Sequence, residues 1–150
     1  MFRGTFEHTI DDKGRVSVPA KYRDALLATN DDRVVITNFV LASVRCVDVY
    51  PYPAWLELEN RLRQRPQFDA KVMQFQNYYV AGAHECQCDK QGRILLPPSL
   101  REYAQLDREV TFTAASEKFR IWNREAWAKV FADAEQGLMS NPETLSELGI

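Results

Sequence analysis

An internal duplication is the feature that most constrains the fold of this chain. Residues 11–19 read DDKGRVSVP, and much of this stretch recurs at residues 89–97 as DKQGRILLP. The arginines of the two stretches, Arg15 and Arg93, lie 78 positions apart in a chain of 150 residues. Such self-similarity is typical of a repeated unit that buries its apolar face against its neighbour. We therefore expect two half-size modules that share one core.

The repeated motif predicts a tight turn, a short strand and a helix, in that order. Asp11 and Gly14 occupy the first and fourth positions expected of a type I turn, and Asp89 and Gly92 match them in the second copy. We assign these four residues structural roles as turn caps. Apolar and polar residues then alternate, as in a half-buried strand, which points the motif arginine outwards. A proline follows at a position where helices commonly begin.

Periodicity predicts the remaining elements. Strands are expected at residues 5–10, 33–37, 44–50, 109–113 and 119–122. Helical spacing of apolar residues indicates two helices over residues 53–81, with Gly82 as their C-cap, and a last helix over residues 125–134. The pair Ala-Trp at residues 54–55 recurs after 72 positions rather than 78, and we place this difference in a loop over residues 38–43.

These elements predict an α+β fold with four segments. The predicted division is a first module over residues 1–53, linking helices over 54–82, a second module over 83–134 and a flexible acidic tail over 135–150.

Composition argues against a general polyanion-binding domain, which usually has a basic face and a high pI. The net charge is −2 and the pI is about 5.7. The last 18 residues hold four acidic residues and neither Lys nor Arg, which leaves 19 basic and 17 acidic residues in the rest. From charge alone, a solvated surface of mixed charge is expected, so DNA binding would depend on where individual cations lie.

Several classes of protein are not predicted. No apolar run approaches the roughly 20 residues of a membrane span, and the first ten residues do not resemble a signal peptide, so a cytoplasmic protein is expected. Three cysteines without a secretory context do not indicate a disulfide framework. An enzyme is not predicted either, because no nucleophile and base, phosphate loop or carboxylate pair is recognisable.

A zinc site is conceivable at the strand that precedes the second motif. His84, Cys86 and Cys88 alternate on one face, where His8 or Cys46 could complete a set of zinc ligands. However, no Cys-x-x-Cys pair is present, and the matching face of the first copy is chiefly apolar. We expect this face to point inwards, with the cysteines as small buried hydrophobic residues. No metal and no cofactor are predicted.

Cations cluster in the repeated motif. A two-stranded ribbon fits the major groove of DNA, where arginine or lysine can contact guanine edges or phosphates. The candidates for DNA binding in the two motifs are Lys13, Arg15, Lys90 and Arg93. The alternative is that each arginine only pairs with the aspartate of its own turn, and spacing does not separate the two interpretations.

The first copy is better equipped to bind DNA than the second. Lys13 and the polar Ser17 of the first copy are replaced by Gln91 and the apolar Leu95 in the second. Further candidates for phosphate contacts, which are equally compatible with ordinary surface cations, are Arg3, Lys21 and Arg23.

These motifs resemble the MraZ family, whose two tandem modules each carry an Asp-x-x-x-Arg motif. The resemblance begins at residues 1–4 (MFRG), includes residues 82–86 (GAHEC) and extends to the last helix near Trp127. It implies two tandem AbrB-like β-barrel modules with swapped hairpins, short helices and pseudo-two-fold symmetry, with a helical pair inserted between them. It also favours DNA contacts on both hairpins.

The same resemblance implies a function. Members of this family are expected to assemble into rings and to bind direct repeats in promoter double-stranded DNA, usually as repressors of their own division and cell-wall gene cluster. The chain would then be associated with the nucleoid, with no membrane partner. The alternative is a ring-forming protein interaction scaffold that does not bind DNA specifically.

Overall fold

The structure, a computed structural model, describes residues 1–150 and has an α+β fold, as predicted. The strands are β1 (Thr5–Thr9), β2 (Arg15–Ser17), β3 (Arg33–Leu41), β4 (Val44–Pro51), β5 (His84–Gln87), β6 (Arg93–Leu95), β7 (Glu109–Ala115) and β8 (Lys118–Asn123). The helices are α1 (Ala20–Leu27), α2 (Tyr52–Arg63), α3 (Ala70–Phe75), α4 (Pro98–Tyr103), α5 (Arg124–Ser140) and α6 (Glu143–Glu147). A π-helical segment, Gln76–Val80, continues α3. No helix has the length and apolar composition needed to cross a bilayer.

The two copies exchange strands. Six strands form an antiparallel sheet in the order β1-β7-β8-β4-β3-β5, so the first strand of each copy pairs with a later strand of the other. The short strands β2 and β6, one from each copy, pair antiparallel in a separate ribbon. Equivalent residues face each other at Val16 and Ile94 in the ribbon, and at Asp48 and Arg120 in the sheet. An approximate two-fold axis therefore passes through both pairs.

Strand exchange also determines the pairing of the strands beside each turn. The turns form, but β1 and β2 on either side of the first turn pair with β7 and β6 rather than with each other. The reason is burial: β2 and β6 have three residues each, and Val16 and Ile94 are both 1% exposed because they pack against the other copy.

The main core lies between one face of the sheet, the ribbon and the helices α1 and α4. Tyr22 on α1 is fully buried there, and its hydroxyl donates a hydrogen bond to the Gly4 carbonyl at 2.5 Å. Burial raises the pKa of Tyr22 to about 12. Residues of both copies contribute to this single core, as the duplication predicted.

The other face of the sheet is covered by α2 and the π-helical segment over β3 and β4, and by α5 over β7 and β8. Between them, the fully buried Asp48 accepts a hydrogen bond from Arg120 Nε at 2.9 Å and lies 3.2 Å from Lys118 Nζ. The Tyr79 hydroxyl also donates to Asp48, and burial raises the pKa of Tyr79. Two cations and a hydroxyl thus compensate this buried carboxylate.

Two sequence-based boundaries are wrong. Residues 38–41 continue β3, and a two-residue turn follows at Ala42 and Ser43, which both have positive φ. The segment predicted to be a loop is therefore the end of a long β-hairpin formed by β3 and β4. The last helix runs to Ser140 rather than to residue 134, because its second half is rich in good helix formers. The sequence from 143 to 147 is also helical.

Gly82 does not cap a helix in the left-handed conformation. Its φ is not positive, and a Cβ atom at this position would lie 1.9 Å from Asn38 Oδ1. The Asn38 amide is held in place because its Nδ2 donates to the Tyr78 carbonyl at 2.9 Å. Close approach of β3 to the end of the π-helical segment therefore explains the glycine.

We predict that Gly82→Ala destabilises the protein by about 1–3 kcal/mol, because the added methyl group overlaps an anchored side chain. Gly137→Ala is the matched control. Gly137 lies inside α5, and a methyl group added to it would meet nothing within 4 Å, so alanine should stabilise by roughly 0.5–1 kcal/mol. Urea denaturation measures both values, and a Gly82→Ala protein as stable as wild type would contradict the proposed overlap.

Candidate nucleic-acid interface

The first turn is closed by one aspartate. Asp11 Oδ1 accepts hydrogen bonds from the backbone N–H groups of Lys13 and Arg15, both at 2.9 Å. Its Oδ2 accepts from Arg15 Nε at 2.8 Å. Within the backbone, Gly14 N–H donates to the Asp11 carbonyl at 3.0 Å, and Asp11 N–H donates to the Arg15 carbonyl at 2.9 Å. One carboxylate therefore fixes both the turn and the arginine that follows it.

The second turn repeats this arrangement. Asp89 Oδ1 accepts from the backbone N–H groups of Gln91 and Arg93 at 2.9 Å, and its Oδ2 accepts from Arg93 Nε at 2.9 Å. Gly14 and Gly92 have φ values of 84° and 76°, a conformation that glycine adopts without steric cost. The backbone hydrogen bonds from Arg15 and Arg93 are the main reason why the pKa values of Asp11 and Asp89 are lowered.

Arg15 and Arg93 are held by their turns and yet retain donors for a partner. Their side chains are 32% and 27% exposed. Each uses Nε for its aspartate, and neither pair of terminal guanidinium nitrogens forms a hydrogen bond within the chain. Each arginine therefore fixes its own turn, as the structural alternative predicted, and its terminal nitrogens are still able to contact DNA.

The ribbon ties the two turns together. In the β2–β6 register, Arg15 lies opposite Leu95 and Ser17 lies opposite Arg93. Beyond the ladder, Val18 N–H donates to the Gly92 carbonyl at 2.9 Å, and Leu96 N–H donates to the Gly14 carbonyl at 3.0 Å. Each turn glycine is thus bonded to the strand of the other copy, which sets the relative position of the two arginines.

Two further arginines each lie beside the turn of the other copy. A Cβ atom at Gly14 would lie 2.9 Å from Arg101 Cζ, and one at Gly92 would lie 2.4 Å from Arg23 Cδ. The Nε atoms of both arginines are buried without a hydrogen-bond partner. Sequence reasoning named Arg23 as a possible phosphate contact and missed Arg101, although these residues also lie 78 positions apart.

The remaining candidates lie at the surface. Lys13 and Lys90 are exposed on the two turns, at positions that do not match each other in the two copies. Arg3 is exposed before β1, and Lys21 is exposed in the first turn of α1. None of these four side chains forms an ion pair within the chain.

The strand face that carries His84, Cys86 and Cys88 is only partly buried. Cys86 and Cys88 pack against the main core, whereas His84 at the start of β5 is exposed, contrary to the expectation. Burial raises the pKa of Cys86 to about 12 and that of Cys88 to about 11. No group of three His, Cys, Asp or Glu side chains is placed so that it could hold a metal ion.

Fold and site together define an α+β protein made of two fused copies of one unit, with matched cationic turns on a shared ribbon. Comparison with known proteins shows the family. The family model described as "MraZ protein, putative antitoxin-like" matches residues 1–77 and 79–148. The chain belongs to the MraZ family, which confirms the resemblance found in the sequence.

Several relatives bear the name "Transcriptional regulator MraZ". The protein from Desulfitobacterium hafniense (strain DSM 10664 / DCB-2) is 42% identical over 150 residues, the full length of both chains. That from Desulforamulus reducens is 40% identical over 148 residues, 99% of each chain. The relative from Moorella thermoacetica is 44% identical over 127 residues, which are 85% of this chain and 84% of the relative. The printed names of these relatives describe transcriptional regulators.

We predict that acid weakens the turns. Because folding lowers the pKa of Asp11 and Asp89 below the ordinary value of 3.8, their carboxylates stabilise the fold above that pH. This contribution is lost as the pH falls through the folded pKa values. A variant with Asp11→Asn and Asp89→Asn lacks both carboxylates, so its free energy of unfolding should fall less steeply than that of wild type between about pH 5 and about pH 2. Urea denaturation at a series of pH values measures the two slopes, and equal slopes would contradict the role given to these aspartates.

Proposed function

We propose that this protein is a DNA-binding transcriptional regulator that contacts double-stranded DNA through its two cationic turns. We further propose that each copy is an AbrB-like module with a swapped hairpin. Exchange of β1 and β5 between the copies and pairing of β2 with β6 support this assignment.

The observation that carries the proposal is the orientation of Arg15 and Arg93. Each guanidinium is held at Nε by an aspartate, and its terminal nitrogens remain available. An arginine fixed in this way loses less side-chain entropy on binding. Two terminal N–H groups suit the O6 and N7 acceptors of guanine in the major groove, or a phosphate. Lys13, Lys90, Arg3 and Lys21 are proposed as further contacts.

A ring of subunits would compensate for the small number of cations on each subunit. One subunit offers few contacts and its chain has a net charge of −2, so a single subunit should bind weakly. Several subunits at fixed spacing bind repeated DNA elements with a high effective concentration. We propose that the targets are direct repeats upstream of its own division and cell-wall gene cluster, that binding represses transcription, and that the protein acts at the nucleoid in the cytoplasm.

The second candidate function is a ring-forming interaction scaffold. It is favoured by the ion pairs of Arg15 and Arg93 with their own aspartates, which suffice to explain why these residues are present. Salt dependence separates the two functions. Binding through phosphates weakens steeply as the salt concentration rises, whereas a scaffold gives no specific binding at any salt concentration.

We predict that Arg15→Ala weakens binding to DNA from upstream of the gene by about 5-fold to 150-fold, since a two-donor arginine contact contributes roughly 1–3 kcal/mol. The fold and the oligomer should remain intact. Fluorescence anisotropy at two salt concentrations measures binding, and circular dichroism with light scattering checks fold and mass.

Arg93→Ala is the matched control, because Arg93 makes the same contacts within its own turn. Its effect should be smaller, since the second turn has Gln91 where the first has Lys13. If Arg15→Ala binds DNA as tightly as wild type, the proposed contact is wrong. If Arg15→Ala unfolds, Arg15 is primarily a structural partner of Asp11.

A further inference from the structure

The helices α2 and α5 are equivalent elements of the two copies. Trp55 on α2 and Trp127 on α5 lie 72 positions apart, and each packs on the outer face of the sheet. The helix α2 contacts β3 and β4, whereas α5 contacts β7 and β8. The two helices therefore cover separate halves of one sheet face, and their outward sides face solvent.

Charged residues at matched positions of these two helices have opposite signs. Residues of α2 and α5 that lie 72 positions apart match each other. Three of these matched pairs are charged in both helices, and the two charges of each pair are opposite: Glu57 and Lys129, Arg61 and Asp133, and Arg63 and Glu135. All six side chains are exposed and none forms an ion pair within the chain. Pairing inside the subunit does not account for these charges.

The reversal extends to the neighbouring segments. Residues 60–75 hold four basic residues and one acidic residue, whereas residues 133–150 hold four acidic residues and no basic one. Each surface therefore has a charge of one sign that could attract the other.

Both surfaces also expose apolar side chains, which a charged face by itself does not require. On α5 these are Phe131 (56% exposed), Leu138 (49%) and Met139 (64%). Around α2 and α3 they are Leu56, Phe68 and Met73. A shallow groove on this second surface is lined by residues of α2 and α3 and by Arg65, which lies two residues after α2. Its lining residues are Leu58, Arg61, Leu62, Arg65 and Phe75. No residue of α5 or α6 lines this groove.

We propose that the acidic face of α5 and α6 of one subunit docks on the basic groove of α2 and α3 of a second copy of this chain. Two different surfaces meet in this contact, so each subunit has one of each and successive subunits close into a ring or extend into a filament. The apolar side chains supply the buried area, and the charges select the partner surface and its orientation. This inference rests on the proposed ring and identifies the surfaces that build it.

Two charge variants test the interface in the full-length protein. The acidic variant carries Arg61→Asp and Arg63→Glu, so that both of its surfaces are acidic. The basic variant carries Asp133→Arg and Glu135→Arg, which removes the net negative charge of residues 133–150 and places two arginines on the face of α5 that would meet the basic groove. Each variant should repel its own copies and elute at a lower mass than wild type in size-exclusion chromatography with light scattering. When mixed in equal amounts, they should recover the mass of the wild-type oligomer, because acidic and basic surfaces then alternate.

A control variant with Glu102→Arg and Asp107→Arg changes the net charge as much as the basic variant does. Both control positions are exposed and lie outside the two surfaces, so this protein should keep the wild-type mass. If wild type is an oligomer and either charge variant keeps that mass alone, or the mixture fails to recover it, the interface is wrong while the ring stands. A monomeric wild type would overturn both the ring and this interface.

Discussion

The fold depends on the pairing of β2 with β6. A three-residue strand cannot shield its own apolar side chain from water, and Val16 and Ile94 pair across the ribbon inside a core built from both copies. The same exchange sends β1 and β5 to opposite edges of the six-stranded sheet, where each pairs with the other half of the chain. Neither copy therefore has a complete core of its own, and both contribute to one folding unit.

This pairing also determines the geometry of the candidate site. The turn glycines accept hydrogen bonds from the opposite copy, and Arg23 and Arg101 pack against the turn of the copy to which they do not belong. Within each turn, one aspartate orients the guanidinium of the next arginine. The proposed DNA contact therefore depends on two positioned arginines rather than on a high density of positive charge, which is compatible with a net charge of −2.

The features predicted from the sequence have local causes. The turn follows from Asp11, whose side chain accepts hydrogen bonds from nearby backbone N–H groups, and from Gly14, which adopts a positive φ. The matched spacing of 78 residues predicts that the second turn has the same form. The partner of β2 was not predictable from alternation, because the apolar pattern is the same whether the strand pairs within its copy or with the other one. Arg101 and Gly82 were missed or misassigned for a related reason. Their roles depend on contacts with Gly14 and Asn38, which are distant in the sequence.

Chemical footprinting of arginines tests the central claim most directly. Phenylglyoxal modification, read by mass spectrometry, would be compared for the wild-type protein alone and bound to DNA from upstream of its gene. If the turns contact DNA, the reactivity of Arg15 and Arg93 falls on DNA binding while that of Arg61 and Arg63 on α2 does not change. Bound protein in which Arg15 and Arg93 react as fast as in the free protein would contradict the account, because DNA would then bind elsewhere on the molecule.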